Sequence, residues 1–255
     1  MTTPTKDPST TPNSARLFAA LEAGWPAAAS RNLGPFRLRQ SPGGGQRVVA
    51  TTVEAPFTET DLARALAEMR ASVQSQVFQI QPSLSASAAL DRLLAARGWR
   101  EHDPVSLYLG RTAPLAERPL PNDAAFTVWP PMAIQREIWA ANHIGPDRLD
   151  VMARADLPRA SLLARLHDRA VGAAYVAVSD GIAGLHALVI DPSYRRQGAA
   201  RYLMQRAARW AQEQGADWLA LAVTRQNGAA RALYTSLGMT EVEHYHYRIP
   251  LEADV

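Results

Sequence analysis

The segment Leu188–Leu203 constrains the fold of this chain more than any other. Its sequence, LVIDPSYRRQGAARYL, begins with apolar residues typical of a buried strand, which ends at Asp191-Pro192. An arginine-rich loop containing Gly198 follows, and an amphipathic helix starts directly after it. Backbone N–H groups at the positive end of a helix dipole, next to arginine side chains, favour a bound anion. The segment therefore predicts a cradle for a pyrophosphate.

A second motif decides between two interpretations of that loop. Gly198 and the two alanines after it allow close approach of a diphosphate, but an ordinary surface turn fits the same residues. Asn227 and Tyr234 lie seven positions apart, about two helical turns, so they share a helix face with Ala230 between them. A ligand can lie along such a face. The alternative is that Tyr234 packs in the core and Asn227 only caps the helix.

Composition limits the class of protein. The 255 residues suit one large domain or two of ordinary size, and 47% of them are apolar. The net charge of +3 does not indicate a nucleic-acid partner, and no apolar run is long enough to span a bilayer. Without cysteine there is no disulfide or cysteine-ligated metal, and no spacing of His, Asp or Glu indicates another metal site. We expect a soluble, cytoplasmic protein with no membrane partner.

Proline-rich and polar segments predict the domain boundaries of the chain. Residues 1–12 are polar and proline-rich, lack the apolar core of a signal peptide, and predict a disordered lead-in. Residues 112–123 form a proline-rich break that we interpret as a linker. The chain is thus expected to contain an N-terminal domain over residues 13–111 and a C-terminal domain over residues 124–255.

Periodicity and capping signals predict the elements of each side. On the N-terminal side they predict helices over Ser14–Ala23, Thr58–Val73 and Ser85–Arg97, a turn at Gln40–Gln46, and strands over Arg47–Val53, Gln76–Gln81 and Val105–Leu109. On the C-terminal side they predict helices over Ala133–Asn142, Leu149–Ala155, Ala199–Gln214 and Asn227–Leu237, and strands over Phe126–Trp129, Ser161–Leu166, Ala170–Val178, Gly181–Ile190, Trp218–Val223 and Thr240–Ile249. The pattern indicates an α/β protein with a mixed, mostly antiparallel central sheet flanked by helices.

A weak internal repeat relates the two sides. The alanine-rich helix before Gly98 parallels the one before Gly238, and aligning these glycines places Leu94 opposite Tyr234. No arginine–glycine loop follows Val53, so the architecture is repeated without the candidate chemistry. The alternative is that any two strand–helix–strand segments look alike.

The two motifs resemble those of the GNAT superfamily of N-acetyltransferases. That family's acetyl-CoA signature is a hydrophobic strand, an arginine or glutamine, two residues, a glycine, one residue, and a glycine or alanine. Here the pattern is met by Arg195, Gly198 and Ala200. Asn227 with Tyr234, followed by Leu237-Gly238-Met239, is similar to the family's later motif. The resemblance covers the C-terminal half and implies the acyl-CoA N-acyltransferase fold, with the N-terminal half a degenerate GNAT-like copy.

The resemblance also implies roles for individual residues. The backbone of Leu188, Val189 and Ile190 would bind the pantetheine arm of acetyl-CoA, the co-substrate. The pyrophosphate would be wrapped by Arg196, Gln197, Gly198, Ala199, Ala200 and Arg201. Arg195 is a further residue of the cofactor-binding motif. Asn227 would hydrogen-bond the arm. Tyr234 would protonate the departing thiolate and would also contact the cofactor.

One position departs from the family pattern. Many members carry a glutamate as general base five residues before the asparagine, where this chain has Ala222. His186 is the first candidate to replace it, because it alternates with Leu188 and Ile190 and so projects from one face of the strand. It also resembles a histidine of arylamine-type family members. The alternative is an ordinary core histidine.

Further acceptor-site candidates are placed less directly. His244 and His246 alternate with two tyrosines on the last strand, and one face of that strand would line the acceptor pocket; a half-exposed edge strand is the alternative. Trp139 and His143 are placed there by analogy alone.

The resemblance implies transfer of an acetyl group from acetyl-CoA to a primary amine of a small molecule, peptide or protein. Direct attack in a ternary complex is expected. A non-catalytic acyl-CoA-binding regulatory module is the alternative, and so is an enzyme whose N-terminal half mainly supports oligomerisation. A monomer and a homodimer both fit.

Overall fold

The computed structural model describes residues 10–251, so most of the predicted lead-in, residues 1–9, lies outside the described residues. The helices are α1 (Ser14–Ala23), α2 (Glu59–Ala71), α3 (Ser85–Ala96), α4 (Thr112–Ala116), α5 (Ala133–Ala140), α6 (Pro146–Arg154), α7 (Ala199–Glu213) and α8 (Gly228–Ser236). The strands are β1 (Ala29–Leu33), β2 (Phe36–Gln40), β3 (Thr52–Val53), β4 (Phe78–Ile80), β5 (Arg100–Arg111), β6 (Ala125–Val128), β7 (Arg159–Leu166), β8 (Arg169–Ser179), β9 (Ile182–Ile190), β10 (Trp218–Thr224) and β11 (Thr240–Ile249).

The expected mixed, mostly antiparallel sheet is confirmed. Its eight strands run in the order β4-β11-β5-β10-β9-β8-β7-β6, and β9 and β10 are parallel neighbours while the other pairs are antiparallel. A separate three-stranded sheet contains β1, β2 and β3.

Strands from both sides of the expected linker interleave in the large sheet. β5 lies between β10 and β11, and β11 in turn pairs with β4. Residues 112–116 of the interval that we interpreted as a linker form α4, whose Leu115 packs into the same core as α7. The two predicted halves therefore share the eight-stranded sheet.

The aligned helices α3 and α8 end in the same geometry. Trp99 N donates to Leu94 O at 3.0 Å, and Met239 N donates to Tyr234 O at 3.1 Å. Gly98 and Gly238 take positive φ values of 80° and 87°. A left-handed glycine after a helix closes it in this way. The strands that follow the two helices, β5 and β11, pair with each other.

The prediction of a single strand over Arg47–Val53 was wrong. Residues Gln46–Val48 form a 3-10 turn, in which Val48 N bonds Gly45 O, and only Thr52–Val53 is a strand. The β-branched composition indicated a strand, but the glycines before it start a helical turn.

Two strands of the small sheet, β1 and β2, were not expected. The capping of α2 by Thr58 is present, with Asp61 completing a capping box.

Packing around the sheet creates several cores. α7 packs on one face with Leu203, Met204 and Ala207 buried, and α1 packs on the other with Leu17 and Leu21. α5 and α6 enclose a third cluster, and α2 and α3 enclose a fourth with the small sheet. Within residues 10–251, no helix has both the length and the apolar content to cross a membrane.

Candidate functional site

The site is built where β9 and β10 separate. Their pairing runs from Ile182–Trp218 to Leu185–Leu221 and then stops, although both strands continue. A bulge in β9 centres on Ala187, whose φ is 53°. The indole of Trp139 donates to Ala187 O at 2.8 Å, which holds the bulge open. Within residues 10–251, one backbone edge of β9 beyond the bulge is thus left without a strand partner.

A cleft of about 720 Å³ extends from this gap along α7 and α8, and we call it the loop–helix cleft. Strand β9 contributes Leu188, Val189 and Ile190 to its walls. The loop and helix start contribute Arg195, Arg196, Gly198, Ala199, Ala200 and Arg201. Asn227 and Tyr234 contribute from α8. The structure thus brings these predicted residues together, while Gln197 donates to Ser193 O at 3.4 Å instead of lining the cleft.

The loop has the backbone of an anion cradle. Arg196 and Gly198 take positive φ values of 63° and 93°, and Gly198 is the N-cap of α7. No side chain among the described residues caps this helix start, so its first N–H groups are available to a ligand. Alternating left-handed and right-handed residues turn successive N–H groups toward one point.

The two predicted residues of α8 occupy one side of the gap. Asn227 caps the helix through Oδ1, which accepts from Ala230 N at 3.1 Å, so its side-chain NH₂ is left as a donor. Tyr234 is 6% exposed, and its ring lies 5.6 Å from that of Tyr108. Burial raises the pKa of Tyr234 to about 12, so the phenol keeps its proton at neutral pH.

A second cleft of about 660 Å³ opens on the other side of the gap. We call it the aromatic cleft, because its walls include Trp25, His186, Tyr245 and Tyr247. The two clefts share Leu188, Asn227 and Tyr234. A ligand in one can therefore meet a ligand in the other at the gap.

His186 lines the aromatic cleft, but its geometry does not suit the predicted general base. Nη2 of Arg47 donates to Nδ1 at 3.0 Å, so Nδ1 has no free lone pair. Nε2 is buried without a partner among the described residues, close to Gly24 and Gly184. Burial, with a smaller contribution from Arg47, holds the pKa of His186 well below its usual range. The ring is therefore a neutral, buried part of the wall.

The other acceptor-site candidates are distributed differently. On β11 the tyrosine face lines the aromatic cleft, while His246 lies on the opposite face with Nε2 2.9 Å from Asp91 Oδ1. Trp139 is fully buried and acts on the bulge, and His143 is exposed outside both clefts. Among residues 10–251, no cluster of His, Cys, Asp and Glu has the geometry of a metal site.

Sequence reasoning missed the charged residues of the aromatic cleft. Arg47 enters from the 3-10 turn, Asp103 from β5 and Arg148 from α6. The Gly43–Gly45 run was the available signal, because three consecutive glycines indicate close approach of backbone to another element. The signal for Asp103 was the proline that follows it, because a proline within a strand is typical of a bulge.

Comparison with known proteins identifies a family for part of the chain. The Acetyltransferase (GNAT) family matches residues 129–239. A Bacillus subtilis (strain 168) protein named "Uncharacterized N-acetyltransferase YobR" is 35% identical over 74 residues, which are 29% of this chain and 30% of that protein.

Solved structures extend the likeness to nearly the whole chain. A GCN5-related N-acetyltransferase from Kribbella flavida covers 94% of this chain and 96% of its own, with a TM-score of 0.71 and 20% identity. A tandem GNAT protein from the clavulanic acid biosynthesis pathway covers 84% of this chain and 77% of its own, with a TM-score of 0.58 and 14% identity. Residues 129–239 therefore form a domain of the GNAT acetyltransferase family, within a chain that has the fold of GCN5-related N-acetyltransferases.

Proposed function

We propose that this protein transfers the acetyl group of acetyl-CoA to a primary amine by direct attack in a ternary complex. The observation that carries the proposal is the meeting of two clefts at the gap between β9 and β10. One cleft has an anion cradle and the other is lined by aromatic and charged residues. Such a pair holds two substrates with their reacting groups at a shared point.

The loop–helix cleft fits the co-substrate. Its cradle, with positive φ at Arg196 and Gly198 and an uncapped start of α7, offers N–H donors to a pyrophosphate. The free backbone edge of Leu188–Ile190 offers donors and acceptors to an amide-containing arm. Asn227 adds a side-chain donor beside that edge. Acetyl-CoA supplies the thioester, and this chain's residues orient it.

Tyr234 serves as hydrogen-bond donor to the sulfur that leaves. With a pKa of about 12 it stays protonated, but full transfer of its proton to a thiolate with a conjugate acid near 8.5 costs about 5 kcal/mol. Its role is therefore to stabilise the developing negative charge, with the final proton coming from the attacking nitrogen. Backbone N–H groups at the gap would stabilise the oxyanion in the same transition state.

Two measurements on the full chain test the proposal. Calorimetry with CoA reports binding, and release of free thiol from acetyl-CoA over a panel of primary amines reports transfer. We expect micromolar to millimolar binding and amine-dependent thiol release. Binding without release for every amine would favour the non-catalytic acyl-CoA-binding module, for which Ala222 at the position of the family glutamate is the specific observation. No binding at millimolar CoA would overturn both functions.

A further inference from the structure

The aromatic cleft contains three charged side chains. Arg47, Arg148 and Asp103 line it, and none of them forms an ion pair with another residue in the range 10–251. Arg47 is half-buried and contacts the neutral His186 and the ring of Trp25, 5.6 Å from its guanidinium carbon. Partly buried charge without a counterion is costly, so these groups are suited to a ligand that carries the opposite charges.

A strained bulge brings Asp103 to the cleft. Val105 pairs with Tyr245 and His102 pairs with Tyr247, so Asp103 and Pro104 both oppose a single residue of β11. Asp103 takes a φ of 44°, a left-handed conformation that costs a non-glycine residue about 1 kcal/mol. Bulges of this kind redirect side chains beside active sites. Burial raises the pKa of Asp103, against a smaller opposing effect of His102.

A second contact brings both arginines to the wall of the cleft. The Gly43–Gly45 run lies directly on α6: a Cβ at Gly44 would come within 2.5 Å of Val151, and Gly44 N donates to Asp147 Oδ2 at 2.7 Å. The chain then enters the 3-10 turn that carries Arg47. Arg148 follows Asp147 on α6, so one docking contact sets the position of both guanidinium groups.

Part of the remaining wall is apolar or aromatic. Trp25, Val105, Ile144 and the rings of Tyr245 and Tyr247 face the same space. A ligand for this cleft therefore has a carboxylate for the arginines, an ammonium for Asp103 and an apolar portion for these walls.

We propose that the acceptor is a free α-amino acid with an apolar side chain. This inference rests on the proposed transferase function. Asp103 receives the ammonium and takes one proton from it, and the nitrogen lone pair forms the C–N bond to the thioester carbon. The C–S bond then breaks with its electron pair on sulfur, which takes a second proton from nitrogen. The products are the N-acetyl amino acid and CoA thiol, and one proton passes through Asp103 to solvent.

Matched acceptors test the carboxylate requirement. Thiol release from acetyl-CoA is measured with L-leucine, L-leucinamide and 3-methylbutylamine, and with L-phenylalanine, L-phenylalaninamide and 2-phenylethylamine. We expect kcat/KM to be about tenfold or more higher for the amino acid than for its amide or amine, because only the acid satisfies a guanidinium. The preference should decrease about tenfold in Arg148→Gln. Arg136→Gln, which changes an exposed arginine outside the cleft, should keep it.

The outcomes separate the two proposals. Equal or better turnover of the amides and amines would overturn the amino-acid acceptor while leaving the transferase intact. If the protein binds CoA but turns over none of the six compounds, the amino-acid acceptor is overturned as well. A protein that neither binds CoA nor releases thiol fails at the proposed function itself. An unchanged preference in Arg148→Gln would remove the arginine from carboxylate recognition and contradict the proposal.

Discussion

Nη2 of Arg47 lies 3.0 Å from Nδ1 of His186, joining a turn of the N-terminal half to the bulged strand β9. The contact makes Nδ1 an acceptor and leaves the proton on the buried Nε2. A protonated ring would place two cations side by side. The pair is therefore a structural contact that requires neutral His186, and it makes folding sensitive to acid.

We expect His186→Gln to reduce the pH dependence of stability. The pKa of His186 is lowered in the folded state, first by burial and then by Arg47, so the unfolded state binds the proton more tightly. Acidification below an unfolded pKa of about 6.5 then costs the wild type up to about 1.4 kcal/mol for each pH unit. Urea unfolding at pH 7.5 and 5.5 measures the loss of unfolding free energy on acidification, which should be smaller in the variant. An unchanged slope in the variant would place the titrating group elsewhere.

The variant His186→Gln also tests whether His186 is the general base of the reaction. Since Nδ1 is occupied and Nε2 is buried, the acidic limb of the pH–rate profile should be the same in His186→Gln as in wild type. Loss of that limb would restore His186 as the base.

Tyr234→Phe should lower kcat about 100-fold with little change in acetyl-CoA affinity, because the phenol acts on charge that develops in the transition state. Tyr108→Phe is the matched control: its ring packs 5.6 Å from that of Tyr234 but lines neither cleft. Steady-state kinetics and CoA calorimetry on both variants check the prediction. Equal turnover in Tyr234→Phe would exclude the phenol from the chemistry.

The two ends of α7 give a controlled test of the anion cradle. Gly198→Ala and Gly215→Ala both place a Cβ at a positive φ, 93° and 75°, with no contact closer than 3.8 Å. Each should lose about 1 kcal/mol of unfolding free energy. Only Gly198→Ala should weaken CoA binding, by about tenfold, because only that glycine belongs to the cradle. Calorimetry giving the same CoA affinity for both variants would argue against the cradle.

Asp91→Asn should destabilise the fold by about 1 to 3 kcal/mol at pH 7. Burial opposes the charged form of Asp91, but hydrogen bonds from Arg248 at 2.7 Å and His246 at 2.9 Å outweigh it and lower its pKa. Because the folded pKa is lowered, this stability is present above the unfolded pKa of about 3.9 and is lost as the pH falls through the folded pKa.

Denaturant titrations at pH 7 and at pH 3 check the Asp91 prediction. The gap between wild type and Asp91→Asn should shrink at the lower pH. The control is Asp168→Asn, which removes an exposed ion pair with Arg165 and should have a much smaller effect. A gap of equal size at both pH values would show that charge is not the cause.

Local patterns predicted many of the elements. α1 and β11 have the predicted bounds, Ser14–Ala23 and Thr240–Ile249, because apolar periodicity and turn residues are local properties. β1 was missed because its sequence, ASRNL, is almost wholly exposed and carries no apolar alternation. The Arg47–Val53 strand was wrong because a contact more than a hundred residues away, with α6, selects the turn before it.

One part of the candidate site could be predicted from local sequence and the other part could not. The loop–helix cleft could be predicted since its residues lie in two short motifs, around Gly198 and between Asn227 and Tyr234. The charges of the aromatic cleft could not. Asp103 points there only because β5 and β11 pair with a bulge. Pro104 is a local signal for a bulge, but the sequence does not show which strand pairs with β5 or which cleft the bulge faces.

The position of β5 between β10 and β11 determines how the molecule responds to a broken backbone. A cut in the surface stretch between α4 and β6 would give two fragments. β4 and β5 in the first fragment would still pair with strands of the second, β5 with β10 and β11, and β4 with β11. Co-expressed pieces should therefore assemble into a working whole. Either piece alone would present bare strand edges and is expected to aggregate.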